Sequence, residues 1–315
     1  MIANPGFPLI NLPESVQAIV FQHLDPVQLL ALAMTSKRVA DVVSERSFLK
    51  IRVYQFKWIF TWNYKIAIRM APKPIGRPRL VNPNIQSQPL WNVDGVKCSR
   101  FADKLTIVTD EPEKLRRATR RLMSILQVTQ YNLSLYRKTD CAYVFDYTTN
   151  FNKLRMREIM LHKHQLRFFF EAIQVDRLYS FNLQSPNNPV QLLIKHRAIQ
   201  LIYFPPIKFS SFFKMECQSV MLFESGMLIL FEDLLGIITA WRNEQIENMT
   251  DFCICLSADC TLELRAEVRE RLFNILELMN LLVIRSTSTM RVLQRVDHKV
   301  LVVDFDNYFF KLRIG

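Results

Sequence analysis

Glycine is scarce in this chain, at six of 315 residues, and a Gly-rich phosphate loop can hardly be built from so few. Cysteine is scarce too. Cys98, Cys141, Cys217, Cys253, Cys255 and Cys260 are scattered through a long chain, which argues for reduced, mostly buried thiols rather than a disulfide framework. Cys253 and Cys255 alternate in "DFCICL" as on one face of a strand, and no CxxC or nearby histidine completes four ligands. Long apolar runs are also missing: "LILFEDLLGIITAW" is broken by Glu232 and Asp233, short of a membrane span. The N-terminus lacks the charged start and cleavage site of a signal peptide, so the expectation is a soluble intracellular protein, cytoplasmic and/or nuclear.

Catalytic patterns are equally thin. The five histidines, His23, His162, His164, His196 and His298, lie far apart, and no GxSxG motif is present. His162 and His164 fall in the basic stretch "REIMLHKHQLRFFF", where one turn of helix is expected to splay the rings apart on a solvated face. Asp304 and Asp306 share one side of a strand, but two carboxylates alone are commonplace. The expectation is a protein without catalytic residues, metal or cofactor.

What the chain does contain is apolar side chain: half of its residues are hydrophobic, enough for a sizeable packed core. Its net charge of +12 is unevenly spread. Residues 51–100 hold nine basic side chains against one acidic, whereas residues 1–50 balance and residues 201–315 lean acidic.

Along the chain, Leu12-Pro13 followed by Glu14 opens a helix with a carboxylate in its first turn, and Val16, Ile19, Val20 and Leu24 form its stripe. Asp25-Pro26 ends it and starts a second, with Asp25 as N-cap. That second helix, "PVQLLALAMTS", is apolar nearly all round and needs cover on every side. A third follows with Val39, Val42 and Val43 inward. The expectation is a compact three-helix unit whose leucine-rich second helix stays open in the isolated chain and is closed by another polypeptide; the alternative is that the unit docks on the rest of its own chain.

After residues 7–50, a basic, aromatic and proline-rich connector is expected at 51–90, and a second domain at 91–315. The second domain alternates: strand "KLTIVTD", helix "DEPEKLRRATRRLMSILQ" with Asp110 as N-cap and Leu115, Ala118, Leu122 and Leu126 inward, and strand "LSLY". "QSVMLF", "LFEDLLGIITAWRN", "DFCICL", "LRAEVRERLFNILELMN" and "LLVIR" repeat the alternation. A closing hairpin turns near Val296 to Lys299. The fold class is mixed α/β, with loose repeats near thirty residues, too degenerate to define a solenoid.

The segment "FPLINLPESVQAIVFQHLDPVQLLALAMTSKRVADVV" resembles an F-box in its Phe-Pro-Leu, Leu-Pro and Leu-Asp-Pro elements, its leucine-rich helix and its Ser-Lys-Arg. Val39 stands where that motif usually carries tryptophan. The resemblance implies docking on the Skp-type adaptor of a cullin-RING ubiquitin ligase, with Leu12, Pro13, Val16, Val20, Leu24, Pro26, Leu29 and Leu32 packing within the unit or against the adaptor. Residues 91–315 resemble the type 2 F-box-associated domain of nematode F-box proteins, through "WNVDGVKCSRFADKLTIVTDEPEKLRRATRRLMSILQ", "FEDLLGIITAWRNEQIENMTDFCICLS" and "VLQRVDHKVLVVDF". "VDHK" replaces the Asp-Gly turn common there. Such domains are taken to hold the substrate.

These resemblances imply a substrate receptor in a Skp-cullin-F-box ligase, non-enzymatic, with adaptor, cullin and RING subunits and a target protein as partners. Arg116, Arg117, Arg120 and Arg121 are candidates for holding an acidic or phosphorylated target. The rival is nucleic-acid binding by the basic aromatic belt at 52–100, where Tyr54, Phe56, Trp58, Trp62 and Tyr64 interleave with cations. Its plainer reading makes those aromatics core.

Overall fold

The computed structural model describes residues 12–24, 26–70, 88–93, 96–101, 104–137, 140–185, 189–203, 207–223, 231–246, 248–255, 262–279, 281–306 and 309–315. The chain forms two compact units: residues 1–134 with 141–148, and residues 135–140 with 149–315. The architecture is mixed α/β, three N-terminal helices followed by a sheet-rich remainder.

The first unit opens with α1 (Glu14–Gln22), α2 (Pro26–Thr35) and α3 (Lys37–Glu45). Ser36 caps α3, its Oγ accepting from the Val39 N–H. A six-strand sheet follows, built from β1 (Ile51–Phe60), β2 (Tyr64–Arg69), β3 (Gln88–Val93), β4 (Val96–Phe101), β5 (Lys104–Thr109) and, after helix α4 (Pro112–Ile125), β6 (Leu126–Tyr136). Its order is β6-β1-β2-β5-β4-β3. Residues 51–69, expected within a connector, are sheet: in β1 the alternation of buried Phe56, Trp58 and Phe60 with half-buried neighbours is that of a strand. Trp91, where a second domain was expected to begin, lies in β3 of this same unit. The expected linker at 71–87 lies outside the described residues, as does the Asp25 cap.

Helix α4 packs on β2 and β5 and presents its other flank to α2 and α3. Leu115, Ala118 and Leu122 are buried as the periodicity predicts, together with Thr119 and Ile125; Leu126, expected on the same helix, is buried as the first residue of β6. The cap differs. Glu111, not Asp110, holds the N-cap position, and the Thr109 hydroxyl accepts the Glu111 N–H instead.

In the second unit the strands β7 (Asn150–Met160), β8 (Gln174–Gln184), β9 (Ala198–Ile202), β10 (Ser219–Phe223) and β11 (Asp251–Cys255) lie side by side in chain order, all parallel. Among the described residues of the crossovers, α5 (Lys163–Arg167) follows β7, a 3-10 turn at Phe209–Lys214 follows β9, and α6 (Phe231–Arg242) follows β10. Helix α7 (Leu262–Leu278) leads to an antiparallel set, β12 (Leu282–Ser286), β13 (Met290–Gln294), β14 (Val300–Phe305) and β15 (Phe309–Ile314), which joins through β15 on β11. Parallel neighbours that follow chain order are each joined by a crossover, so the parallel strands of this unit are paired in sequence along one sheet. The strands begin at 150, 174, 198, 219 and 251, an uneven period in keeping with the loose repeats near thirty residues read from the sequence.

Register builds the core of this unit. Leu154, Leu178, Ile199, Val220, Phe252 and Leu312 are cross-strand partners in one buried row. The closing hairpin turns where expected, and His298 takes the left-handed conformation (φ 66°) that a glycine usually supplies.

Candidate functional site

Two surfaces carry the candidate chemistry: the N-terminal helices and the outward face of the parallel sheet. On α1, Gln17, Ala18 and Phe21 are buried, and Gln17 fixes the entry of the helix by donating from Nε2 to the Leu12 carbonyl at 2.8 Å. The opposite side bears Val16 at 39% exposure and Ile19 at 57%, with Leu12, Val20 and Leu24 half-buried. The apolar stripe read from the sequence therefore faces outward. Phe48, on the 3-10 turn packed against α1, is 61% exposed.

Helix α2 corrects the sequence expectation. Leu29, Leu30, Ala33 and Met34 are buried, and the helix packs on α3, α4 and β1 of its own unit. An all-round apolar helix needs all-round cover, and the sheet and α4 supply it from within the chain. Leu32 is half-buried and Pro13 and Pro26 are exposed, so Leu29 alone among the eight expected contact residues is a core residue. Val39 is buried as well. Its difference from the usual tryptophan is therefore felt in the interior of the unit.

The arginines of α4 do not act as one group. Arg116 pairs with Glu113 at 3.6 Å and lies 6.0 Å from the Tyr143 ring centre, whereas Arg117 and Arg121 line a cavity beside α2 and α3. Arg120 points to solvent. In the basic belt, Phe56, Trp58 and Tyr64 are buried and Tyr54 is half-buried; Trp62 is exposed. Three of the five rings are core, so they offer no open stacking faces.

The outward face of the parallel sheet was not anticipated. Arg155, Tyr179, Gln200, Met221, Cys253 and Lys311 are register partners in one row, and Arg157, Phe181, Ile202 and Phe223 in the next. Guanidinium groups lie over the rings: Arg155 5.5 Å from the Tyr179 centre, Arg157 5.3 Å from Tyr136 and 5.2 Å from Phe181. Phe181 meets Tyr203 edge-on at 5.7 Å. At the rim, Arg137 ion-pairs with Glu158, and that hydrogen bond holds the Glu158 carboxyl below its ordinary range. Arg137, Glu158, Asn182 and Tyr203 all adopt positive φ, between 50° and 55°, near the ends of adjoining strands. Strained backbone of this kind persists where the surroundings impose it and is common at functional sites. The signal in the sequence was the recurrence of alternating pairs, Arg155-x-Arg157 and Tyr179-x-Phe181, 24 residues apart by their numbering.

His162 and His164 stack at 6.0 Å rather than splaying apart. Among the described residues, no group of three or more His, Cys, Asp or Glu side chains could hold a metal ion. His196 is fully buried, its Nε2 2.8 Å from the Phe169 carbonyl, and burial pushes its pKa down to about 4. Burial pushes the Cys98 thiol up to about 11 and Cys217 to about 12, so neither is a thiolate at neutral pH. Cys260 lies outside the described residues. Asp306 accepts the Phe309 N–H in the last hairpin and sits 3.5 Å from Lys311. Among the described residues, no helix is long and apolar enough to cross a membrane.

No curated protein and no solved structure matches the chain. Residues 9–51 match the F-box domain family, and this match does not extend to the resemblance of residues 91–315 to the type 2 F-box-associated domain. F-box domains bind Skp-type adaptors in Skp-cullin-F-box complexes and are generally adaptors rather than enzymes. The match at residues 9–51 points at the family level to a substrate receptor of a Skp-cullin-F-box ubiquitin ligase.

Proposed function

We propose that the chain recruits a target protein to a Skp-cullin-F-box ligase, docking on the adaptor through α1 and holding the target on the outward face of β7–β11. The observation that carries the docking half is the outward apolar stripe of α1, within a segment that matches the F-box family. Exposed apolar side chains grouped on one helix are costly in water, and cover by a partner repays that cost. Leu12, Pro13, Val16, Val20, Leu24, Pro26 and Leu32 would carry the docking surface, whereas Leu29 is buried in the core.

The target half rests on the sheet. Its rows offer aromatic and apolar area at Tyr179, Phe181, Tyr203 and Met221 beside Arg155 and Arg157, a mixture suited to a polypeptide with apolar anchors and acidic flanks. Residues 91–315 would then serve as the type 2 F-box-associated domain does in the proteins they resemble. The chain contributes proximity: it raises the effective concentration of target lysines at a separate catalytic subunit, in the cytoplasm or nucleus.

Affinity purification of the full chain, followed by mass spectrometry, tests both halves. Adaptor and cullin are expected with the unaltered chain and are lost with Val16→Asp/Ile19→Asp at unchanged thermal stability. Target proteins are expected to survive that substitution and to be lost with Tyr179→Ala/Phe181→Ala. Adaptor recovery unaffected by the α1 pair would sink the docking geometry, and target half-lives independent of the chain would sink the receptor role.

A further inference from the structure

One cavity, of about 380 Å³, lies where α4 meets α2 and α3 in the first unit. Four cationic side chains line it: Lys37 from the first position of α3, and Lys114, Arg117 and Arg121 from α4. On α4 these fall at i, i+3 and i+7, one side of a helix, so their heads converge on the same opening. Met34, Val96 and Ala118 supply an apolar wall. No carboxylate is among the lining residues. Glu111 reaches Lys114 alone. Among the described residues Lys37 and Arg117 make no ion pair, and the enclosed Nη2 of Arg121 has no hydrogen-bond partner.

Like charges gathered around a concavity raise its potential and disfavour the empty state, and an enclosed guanidinium donor left without an acceptor adds to that cost. An anion relieves both. A phosphate monoester suits the arrangement better than a carboxylate, since it brings close to two negative charges and three acceptor oxygens to several donors at once. The apolar wall suits the carbon stem that carries it, and the cavity is at the small end of ligand sites, large enough for one side chain.

We propose that this cavity is a binding site for a phosphorylated side chain of a polypeptide, held by Lys37, Lys114, Arg117 and Arg121. The assignment divides the α4 arginine cluster, giving Arg117 and Arg121 to the ligand and Arg116 to Glu113 and Tyr143. It rests on the proposed receptor role only in taking that polypeptide to be the ligase target; the site itself stands on the cavity.

Isothermal titration of the full chain with a degenerate peptide library carrying one fixed phosphoserine tests it, against the unphosphorylated library and against inorganic phosphate. The phosphorylated library is expected to bind at least tenfold more tightly than either comparator. Arg121→Gln and, independently, the exposed Lys37→Gln are expected to weaken it at least tenfold, whereas Arg116→Gln and Arg120→Gln leave it within twofold. Equal binding of the unphosphorylated library, or equal loss in Arg120→Gln, overturns the site. Inorganic phosphate binding as tightly as the library overturns the polypeptide source. Adaptor capture is measured on the same Arg121→Gln sample: because Arg121 lies outside residues 9–51, capture should persist, so failure of adaptor docking and failure of phosphate binding are read separately.

Discussion

The indole N–H of Trp58 donates to the Thr119 hydroxyl at 3.3 Å, with both side chains buried, and so ties β1 to α4. Phe56 and Tyr131 flank the same indole, with ring centres at 4.6 and 5.8 Å. Thr119→Val keeps the shape and removes the acceptor, leaving a buried donor unpaired. The expected loss is about 1–3 kcal/mol in urea unfolding. Adding Trp58→Phe should cost less in the Thr119→Val background than alone; purely additive costs would mean that the pair is not coupled.

Leu29, buried, and Ile19, exposed, let folding and the proposed docking be tested separately. Leu29→Asp places a carboxylate in a closed interior and is expected to lower the unfolding midpoint and adaptor capture together. Ile19→Asp, at a position 57% exposed, should change stability by less than about 0.5 kcal/mol while weakening adaptor capture. A stable, folded Leu29→Asp chain would contradict the burial of α2.

His196 makes stability depend on pH. Its folded-state pKa, about 4, lies below the ordinary 6.5 because burial disfavours the imidazolium. Above pH 6.5 neither state binds the proton and the group contributes no slope. As pH falls from 6.5 towards 4 the unfolded chain protonates first, so stability declines, by on the order of 3 kcal/mol in all, and levels off below. Denaturant titrations across that window should show the decline in the native chain and lack this component in His196→Gln.

Gly236 lets α6 approach a phenylalanine ring. A Cβ built there would lie 2.4 Å from Cζ of Phe213 and 3.0 Å from its Cε atoms. Gly236→Ala is therefore expected to destabilise by about 1–3 kcal/mol despite better helix propensity. In a Phe213→Ala background the same change should stabilise, by up to about 1 kcal/mol. Thermal unfolding of the four proteins reads the sign; no reversal would place the constraint elsewhere.

Elements with strong local signals were legible in the amino-acid order. The helix α4 was marked by Pro112 and the repeat of Leu115, Ala118 and Leu122, and the last hairpin by its two alternating runs. The direction of the α1 stripe was not legible. Periodicity identifies a stripe but not the side it faces, and here Gln17 and Phe21 turn inward while Val16 and Ile19 turn out. The arginine cluster on α4 was visible as composition. Its division between Tyr143, solvent and a cavity was not, because the Tyr143 ring and Lys37 come from distant parts of the chain.

Local order alone settled the three N-terminal helices, the F-box signature across them and the alternation of strands and helices, since capping, periodicity and turn chemistry act over a few residues. Which neighbour covers α2, which strands lie parallel, and which cations share one cavity were decided by the tertiary structure. Those outcomes depend on pairing segments tens of residues apart, where burial of the whole surface, rather than any local preference, selects the partner.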